Sequence, residues 1–176
     1  LVGSEMCIRD RYYLNSREMF LDCRERISVT GFTDIQRAAM FYVLVKTGFG
    51  ASLRTFGCNK KRLNTDNFAD IEARLDGVVI ENKDFEDLIK VYDREKALFY
   101  CDPPYHKTER HYTVKFTEDD HERLCRVLHQ IKGRFVLSYN DDKYVRDLYK
   151  DYNIQAVTRN NSLSSGDFKE VIITNF

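Results

Sequence analysis

The fold is decided by the stretch Ala97-Leu98-Phe99-Tyr100-Cys101-Asp102-Pro103-Pro104-Tyr105, in which an apolar run meets two adjacent prolines. The run predicts a buried strand, and the prolines end it because proline lacks an N–H and fixes φ. The residue before a proline is driven into an extended conformation, so Asp102 is expected at the strand tip and Tyr105 on a stiffened turn. Ligands of open α/β sheets bind outside the carboxyl ends of the strands, so chemistry is expected here.

The composition is that of a folded globular protein without a strong overall charge. The 176 residues suffice for one domain with a real core, and 43% are apolar. Lys plus Arg equals Asp plus Glu at 28 each, so only a local basic face could attract nucleic acid. The five cysteines form no C-x-x-C pair and indicate reduced, intracellular thiols. No stretch approaches the ~18 apolar residues of a membrane span, and the four histidines have no metal-ligand spacing.

The chain is predicted to have three parts. Residues 1–11 show no periodicity, and we interpret them as a non-native leader. Residues 12–76 are predicted to be helical, with the clearest helix running from a Thr33 or Asp34 cap to Thr47. Residues 77–176 alternate strands with helices, which implies parallel pairing through right-handed crossovers. The predicted strands are Val78–Ile80, Ala97–Cys101, Phe135–Tyr139 and an antiparallel pair at Ile154–Thr158 and Lys169–Asn175; the predicted helices are Phe85–Tyr92, Thr117–Gly133 and Asp142–Lys150.

The motif Asp102-Pro103-Pro104-Tyr105 resembles the catalytic motif of amino-group methyltransferases, above all the N6-adenine DNA methyltransferases typified by the GATC enzymes. The resemblance runs from about Thr33 to Phe176. It implies an α/β, partly Rossmann-like fold whose mixed sheet has the strand order 3-2-1-4-5-7-6 and an antiparallel carboxyl-terminal hairpin. It also implies that 12–76 is a helical target-recognition insert and 77–176 the carboxyl-terminal part of the catalytic domain.

The resemblance further implies S-adenosylmethionine as cofactor, double-stranded DNA as partner and a cytoplasmic enzyme of bacterial or phage origin. The lone pair of the adenine amine is delocalised into the ring, and a carboxylate and a carbonyl at Asp102, Pro103 and Pro104 would localise it by accepting both N–H groups. Tyr105 would stack on the base, which is worth ~1–3 kcal/mol, after the base leaves the duplex. The donor is a sulfonium, so the displacement needs no metal.

A second site is implied for the cofactor at Val79-Ile80-Glu81-Asn82-Lys83-Asp84-Phe85. Asp84 would meet the amino edge of the cofactor adenine, Phe85 would pack on its ring, and Asp102 would border the same molecule. The alternative is structural, because Asp is a common helix cap and Phe85 would serve equally well in a core.

The DNA-binding side chains are predicted in the loop from Gly48 to Phe68, where basic and aromatic residues are interleaved with Gly and Ser. These cations are Arg54, Lys60, Lys61 and Arg62. Asn140, in Ser138-Tyr139-Asn140-Asp141, would flank the pocket of the flipped base. The alternatives are a solvated basic loop and a polar helix cap at Asp141. The recognised DNA site and the oligomeric state are left open.

The sequence departs from the family in one respect. A glycine-rich Phe-x-Gly-x-Gly loop and the acidic strand end for the ribose have no counterpart, so we interpret the chain as the carboxyl-terminal portion of a longer protein. We expect this chain alone to bind the cofactor weakly, to be inactive alone and to expose apolar strand edges. Two other functions stay open: a nucleic-acid-binding module without catalysis, and a methyltransferase for cytosine N4, RNA or a protein amide.

Overall fold

The computed structural model describes residues 15–51, 53–57, 68–109, 115–160 and 167–176. The chain divides into two compact units, the first ending at Val78 and the second beginning at Val79. Each unit has its own cluster of buried apolar side chains. Among the described residues, no helix combines the length and apolar character needed to cross a membrane.

The first unit is helical. Its helices are α1 (Arg17–Arg26), α2 (Asp34–Thr47) and α3 (Phe68–Leu75), with a short 3-10 turn at Phe49–Ala51. The predicted cap at Thr33 is confirmed as a capping box, since its Oγ1 accepts the Gln36 amide at 3.3 Å and Gln36 Oε1 accepts the Thr33 amide at 2.9 Å. The helices α1 and α2 bury a shared apolar cluster, made of Phe20, Cys23, Met40, Val43 and Leu44.

The second unit contains a four-stranded mixed sheet. Its elements in chain order are α4 (Phe85–Tyr92), β1 (Leu98–Cys101), α5 (Glu118–Gln130), β2 (Arg134–Asn140), α6 (Lys143–Leu148), β3 (Asn153–Asn160) and β4 (Asp167–Thr174). The sheet order is β1-β2-β4-β3, with β1 parallel to β2 and with β4 antiparallel to both β2 and β3. This is the order 4-5-7-6 implied by the resemblance, and the predicted hairpin is confirmed.

The core of the second unit lies between the sheet and the helices. Phe135, Leu137 and Tyr139 alternate along β2 and are fully buried, as expected for one face of a strand. Leu124, Val127 and Leu128 bring one face of α5 into the same cluster, as their helical spacing predicts. Burying side chains of this size contributes roughly 1.5–3 kcal/mol each, so this cluster fixes the sheet on which the site is built.

The joints at the amino ends of β1 and β2 are held together by Asp93 and Gly133. The Asp93 carboxylate accepts the amides of Lys132 and Gly133 at 3.0 Å. A Cβ on Gly133 would lie 2.8 Å from the Ala97 carbonyl oxygen, so this position requires glycine. The Arg134 amide donates to the same carbonyl at 2.8 Å, which starts the parallel pairing of the two strands.

The predicted buried strand at Val78–Ile80 is wrong. These residues form no strand, and their exposed fractions are 45%, 73% and 81%. Within the described part of the chain, no strand pairs with the outer edge of β1. An apolar run becomes a strand only where a neighbouring strand supplies its hydrogen-bond partners, and this segment has none among the described strands.

Candidate active site

Residues from three strands lie close together at the end of the sheet that carries Asp102, which is called the Asp102 edge. Asp102 follows the carboxyl end of β1, and Ser138 and Asn140 lie towards the carboxyl end of the parallel strand β2. Because β4 runs antiparallel, its amino end comes to the same edge, and Glu170 pairs with Asn140. Asp102 is exposed there, whereas Tyr105 is half-buried. The prolines thus release the motif where the sheet topology brings polar side chains together.

The hydroxyl of Tyr105 lies within a small polar network. Its oxygen is 2.6 Å from Ser138 Oγ and 3.2 Å from Glu170 Oε1, and Ser138 Oγ is 3.4 Å from Asp102 Oδ1. Burial is the main reason that the pKa of Tyr105 is raised to about 12, and the negative charges of Glu170 and Asp102 raise it further, while the Ser138 hydrogen bond lowers it. Tyr105 is therefore an un-ionised phenol at neutral pH.

The ring of Tyr105 packs against two aromatic side chains. Its centroid lies 6.1 Å from that of Phe168 on β4, and the two planes differ by only 14°. Tyr139, in the core, lies at the same distance with a tilt of 42°. The pair Tyr105 and Phe168 presents stacked aromatic surface beside the Asp102 carboxylate, the kind of surface on which a nucleobase stacks.

The turn after the motif is anchored to α6. Buried His106 places Nδ1 3.0 Å from Asp142 Oδ1, and Lys107 Nζ, on a residue with φ of +67°, lies 2.9 Å from the other carboxylate oxygen. Asp142 also accepts the Tyr144 amide at 2.8 Å, so Asp142 caps α6, and Asp141 instead pairs with Arg146. This anchor holds the backbone that carries Tyr105.

Asn140 belongs to the same anchor. Its amide nitrogen donates to the His106 carbonyl at 3.2 Å, and its buried Oδ1 has no hydrogen-bond partner among the residues that the structure describes. The structure therefore places this predicted DNA-binding residue next to the motif, with one side-chain atom supporting the turn. Its contact with DNA stays a prediction.

A cavity of about 360 Å³ brings together two of the three predicted cofactor-binding residues. Phe85 and Asp102 both line it, together with Pro103 and apolar side chains of α4 and β1. The lining combines apolar and aromatic surface with one carboxylate, which suits a heteroaromatic ring bearing an amino group. Burial raises the pKa of the neighbouring Cys101 thiol to about 11, so this side chain is a neutral apolar wall.

Asp84 is held by Arg123 on α5, a residue that sequence reasoning missed. Arg123 donates to the two Asp84 oxygens at 2.7 and 3.0 Å and to Asp120 at 3.0 Å, while its guanidinium lies 4.2 Å from the Phe85 ring centroid. These bonds hold the pKa of Asp84 below its usual range. Asp84 also caps α4 through the Glu86 amide at 2.9 Å, so the structural role weighed for it is present. Its contact with a cofactor stays a prediction.

Of the four cations predicted to bind DNA, Arg54 lies in the described part of the first unit. Its side chain is exposed, and its carbonyl accepts a hydrogen bond from Arg24 Nη1 at 2.8 Å. The other three predicted cations, Lys60, Lys61 and Arg62, lie outside the described residues. In the described segments, no three His, Cys, Asp or Glu side chains are grouped so that they could hold a metal ion.

Comparison with known proteins supplies the family. A model of the D12 class N6 adenine-specific DNA methyltransferases matches residues 5–163, which include the motif, the cavity and the capped helices around them. The match begins at residue 5, inside the segment 1–11. None of the curated proteins compared with the chain matches it. The family match covers most of the sequence, and the chain therefore belongs to the D12 class N6 adenine-specific DNA methyltransferase family.

Proposed function

We propose that Asp102, Pro103, Pro104 and Tyr105 hold a flipped adenine of double-stranded DNA while its N6 amine attacks the methyl group of S-adenosylmethionine. The observation that carries this proposal is the position of Asp102. It is exposed at the carboxyl end of β1, it lines the same cavity as Phe85, and the stacked ring of Tyr105 follows three residues later. The family makes N6-adenine methylation of DNA the reaction, so the residue roles are what this proposal adds.

The mechanism follows from the chemistry of these groups. S-adenosylmethionine, held by Asp84, Phe85 and Asp102, would supply a methyl group whose bond to the positively charged sulfur breaks as the bond to N6 forms. The sulfur would leave as a neutral thioether, and the extra proton on N6 would pass to solvent after transfer. Asp102 accepts one N–H of the adenine amine and a proline carbonyl accepts the other, so the nitrogen lone pair is localised and directed. Tyr105 keeps the base in plane by stacking. Such positioning can supply ~7–11 kcal/mol of a barrier, so Asp102 need not remove a proton before the methyl group moves.

The cavity supports binding of the purine end of the cofactor. Phe85 offers an aromatic face, and the ion pair with Arg123 keeps the Asp84 carboxylate ionised beside it. We assign Asp84, Phe85 and Asp102 to this end. A hydrogen-bond acceptor and an apolar wall are what an adenine ring with an amino group requires, and the described residues provide both.

We further propose that Arg54, Lys60, Lys61 and Arg62 contact DNA phosphates, with Asn140 beside the flipped base. If Lys60, Lys61 and Arg62 make three phosphate contacts, replacing all three with Ala makes the negative slope of log affinity against log salt shallower by about 2.7, because each contact contributes about −0.9. Fluorescence anisotropy with duplex DNA measures this slope in a salt titration from about 50 to about 200 mM. An unchanged slope contradicts the assignment.

A matched control removes three cations at the opposite end of the sheet. Lys96 precedes β1, Lys132 precedes β2 and Lys150 precedes β3, so all three lie away from the Asp102 edge. Their replacement with Ala is expected to leave the salt slope unchanged. An equal loss in both triple variants would mean that DNA affinity follows total charge and not this loop.

The other functions weighed from the sequence are not favoured. The family model is specific for adenine in DNA, which argues against cytosine N4, RNA or a protein amide as the methyl acceptor. A binding module without catalysis would retain the basic loop, but it would give no reason for an exposed carboxylate beside a stacked tyrosine at the sheet edge.

The deciding experiment is Asp102→Ala in the full-length protein. Incorporation of labelled methyl groups into unmethylated DNA is expected to be lost, while duplex binding by anisotropy and the circular dichroism spectrum stay as in the parent. Asp151→Ala, at another exposed carboxylate, is the control and is expected to retain transfer. Loss of the folded spectrum in Asp102→Ala would favour a structural role, and label recovered elsewhere than in N6-methyladenine would contradict the assigned acceptor.

A further inference from the structure

Three oxygen–oxygen contacts at the Asp102 edge share only two hydroxyl protons. The contacts are Glu170 Oε1 to Tyr105 Oη at 3.2 Å, Tyr105 Oη to Ser138 Oγ at 2.6 Å, and Ser138 Oγ to Asp102 Oδ1 at 3.4 Å. Tyr105 and Ser138 each carry one O–H, and ionised carboxylates carry none. One of the three contacts therefore has no proton, and the choice of that contact decides what Asp102 can accept.

The shortest contact must contain a proton. Two oxygen atoms 2.6 Å apart repel one another unless a hydrogen lies between them, and this is a typical length for a strong O–H···O bond. Two arrangements are left. Either Ser138 donates to Tyr105 and Tyr105 donates to Glu170, or Tyr105 donates to Ser138 and Ser138 donates to Asp102. Within the described part of the chain, the first arrangement leaves Asp102 Oδ1 without a protein donor, and the second leaves Glu170 Oε1 without one.

Burial decides between these two arrangements. Glu170 is only 6% exposed, whereas Asp102 is exposed and can accept from water. A buried acceptor without a donor costs roughly 1–3 kcal/mol, and more when it is charged. The arrangement in which the Tyr105 hydroxyl donates to Glu170 Oε1 is therefore favoured. Among the described residues, the other carboxylate oxygen, Oε2, has no donor with hydrogen-bond geometry, although Arg159 Nε lies 3.0 Å away as an ion pair. Glu170 therefore depends on Tyr105.

We propose that Glu170 is a positioning residue for methyl transfer, because it draws the Tyr105 proton towards β4 and so turns the Ser138 proton away from Asp102. This inference rests on the proposed role of Asp102 as the acceptor of an adenine N–H. With Glu170 in place, Oδ1 of Asp102 keeps both lone pairs for water or substrate. Without Glu170, the Ser138 hydroxyl occupies one of them and weakens the pull on the amine.

NMR spectroscopy of the protein without cofactor or DNA shows to which acceptor the Tyr105 hydroxyl donates. Tyrosine labelled with 13C at Cζ gives one resonance per ring, and the Tyr105 signal is identified by its absence in Tyr105→Phe. The Cζ resonance of a phenol depends on the acceptor to which its hydroxyl donates. Glu170→Leu replaces the carboxylate acceptor with the Ser138 hydroxyl, so this variant is expected to shift the Tyr105 signal. Glu170→Gln retains an acceptor oxygen and is expected to move it less. An unmoved signal in a folded Glu170→Leu variant overturns the proposal.

The catalytic consequence is measured by single-turnover methyl transfer to unmethylated DNA with the full-length protein. Glu170→Leu is expected to slow transfer about tenfold, the effect of a barrier increase near 1.36 kcal/mol, without a matching change in DNA affinity. Adding Ser138→Ala to Glu170→Leu removes the proton that blocks Asp102, so the double variant is expected to regain rate. A purely structural role predicts the reverse, with the double variant slower than Glu170→Leu, and that result overturns the proposal.

Glu170→Gln guards against a folding defect. It removes the charge but keeps the shape and an acceptor, so it is expected to transfer methyl groups faster than Glu170→Leu, and equal rates overturn the proposal. The two readouts also separate this inference from the proposed function. If Asp102→Ala retains full transfer, the proposed role of Asp102 fails, and the role of Glu170 in catalysis fails with it. If Asp102→Ala is inactive while the Tyr105 resonance is unchanged in Glu170→Leu, only the inference about Glu170 fails.

Discussion

Tyr105 has a ring and a hydroxyl with separate roles, and two substitutions divide them. Tyr105→Phe keeps the ring stacked against Phe168 but removes the donor of buried Glu170, so it is expected to destabilise the fold by roughly 1–3 kcal/mol. Tyr105→Ala also removes the stacking surface, which is worth ~1–3 kcal/mol per base. Urea unfolding gives the first quantity, and the affinity for DNA containing an unpaired target adenine gives the second.

The two Tyr105 variants are expected to differ mainly in the DNA measurement. Tyr105→Phe should bind such DNA almost as tightly as the parent, whereas Tyr105→Ala should bind it more weakly. Equal DNA affinities for both variants would show that the ring does not stack on the base. An unaltered unfolding free energy in Tyr105→Phe would show that the Glu170 contact contributes nothing measurable to folding.

At the scale of elements, Arg123 fastens α5 to the amino end of α4. Its two bonds to Asp84 and its bond to Asp120 form a partly exposed network, so Arg123→Met is expected to cost about 1 kcal/mol and not the several of a buried pair. Arg126→Met is the matched control on the same helix, because its carboxylate partners lie 3.8–4.0 Å away and are exposed. A control variant as unstable as Arg123→Met would contradict this account.

The same network predicts a dependence of stability on pH. The pKa of Asp84 is lower in the folded chain than in the unfolded chain, chiefly because of the Arg123 hydrogen bonds. The unfolded chain therefore binds the proton more readily, and the stabilisation is fully present above the unfolded pKa of about 3.9 and is lost as pH falls through the folded pKa. Urea unfolding from pH 6 to 3, roughly this window, should show a smaller decline for Arg123→Met than for the parent.

The joint between α5 and β2 gives a prediction of steric origin. A Cβ at Gly133 would lie 2.8 Å from the Ala97 carbonyl and 2.9 Å from the Arg94 carbonyl, and these backbone atoms cannot rotate away. Gly133→Ala is therefore expected to destabilise the second unit by about 1–3 kcal/mol. Lys132→Ala, one residue earlier and exposed, is the control with an expected effect near zero. Thermal unfolding compares the two, and equal stability would contradict the close approach.

The elements that sequence predicted well are those whose signals are local. The helix at Phe85–Tyr92, the Thr33 cap and the closing hairpin follow from spacing, caps and turns within a few residues. The Val78–Ile80 strand was predicted from composition alone and is wrong, because pairing depends on a neighbour that composition does not reveal. Arg123 and Glu170 were missed for the same reason, since their partners Asp84 and Tyr105 lie 39 and 65 residues away in the chain.

For the whole molecule, the family and the strand order agree, and both depend on the strand that carries Asp102. The match to the D12 class spans the motif, and the four described strands have the order implied for the end of the family sheet. The sheet brings the polar residues of β1, β2 and β4 to one edge, and β1 pairs on its β2 side only among the described strands. The strand that presents the proposed catalytic carboxylate, β1, is thus also the outermost described strand on one side of the sheet.

The side of β1 that faces away from β2 predicts self-association of the 176-residue chain. Leu98 and Tyr100 on β1 are 63% and 68% exposed, and an apolar edge strand with free N–H and C=O groups is a template for pairing between molecules. Tyr100→Lys places a charge on this edge and is expected to slow aggregation, because natural edge strands use lysine to prevent such pairing. Light scattering at about 37 °C measures the rate of aggregation, which is expected to fall at least about twofold in Tyr100→Lys.

Ile35→Lys is the matched control for this prediction. Ile35 lies on α2 in the first unit and is 66% exposed, so the two substitutions remove similar apolar exposure and add the same charge. If aggregation proceeds through the open edge of β1, only Tyr100→Lys slows it. Equal slowing by both variants would show that net charge or general surface hydrophobicity controls association, and faster aggregation of Tyr100→Lys would show that Tyr100 instead stabilises the sheet.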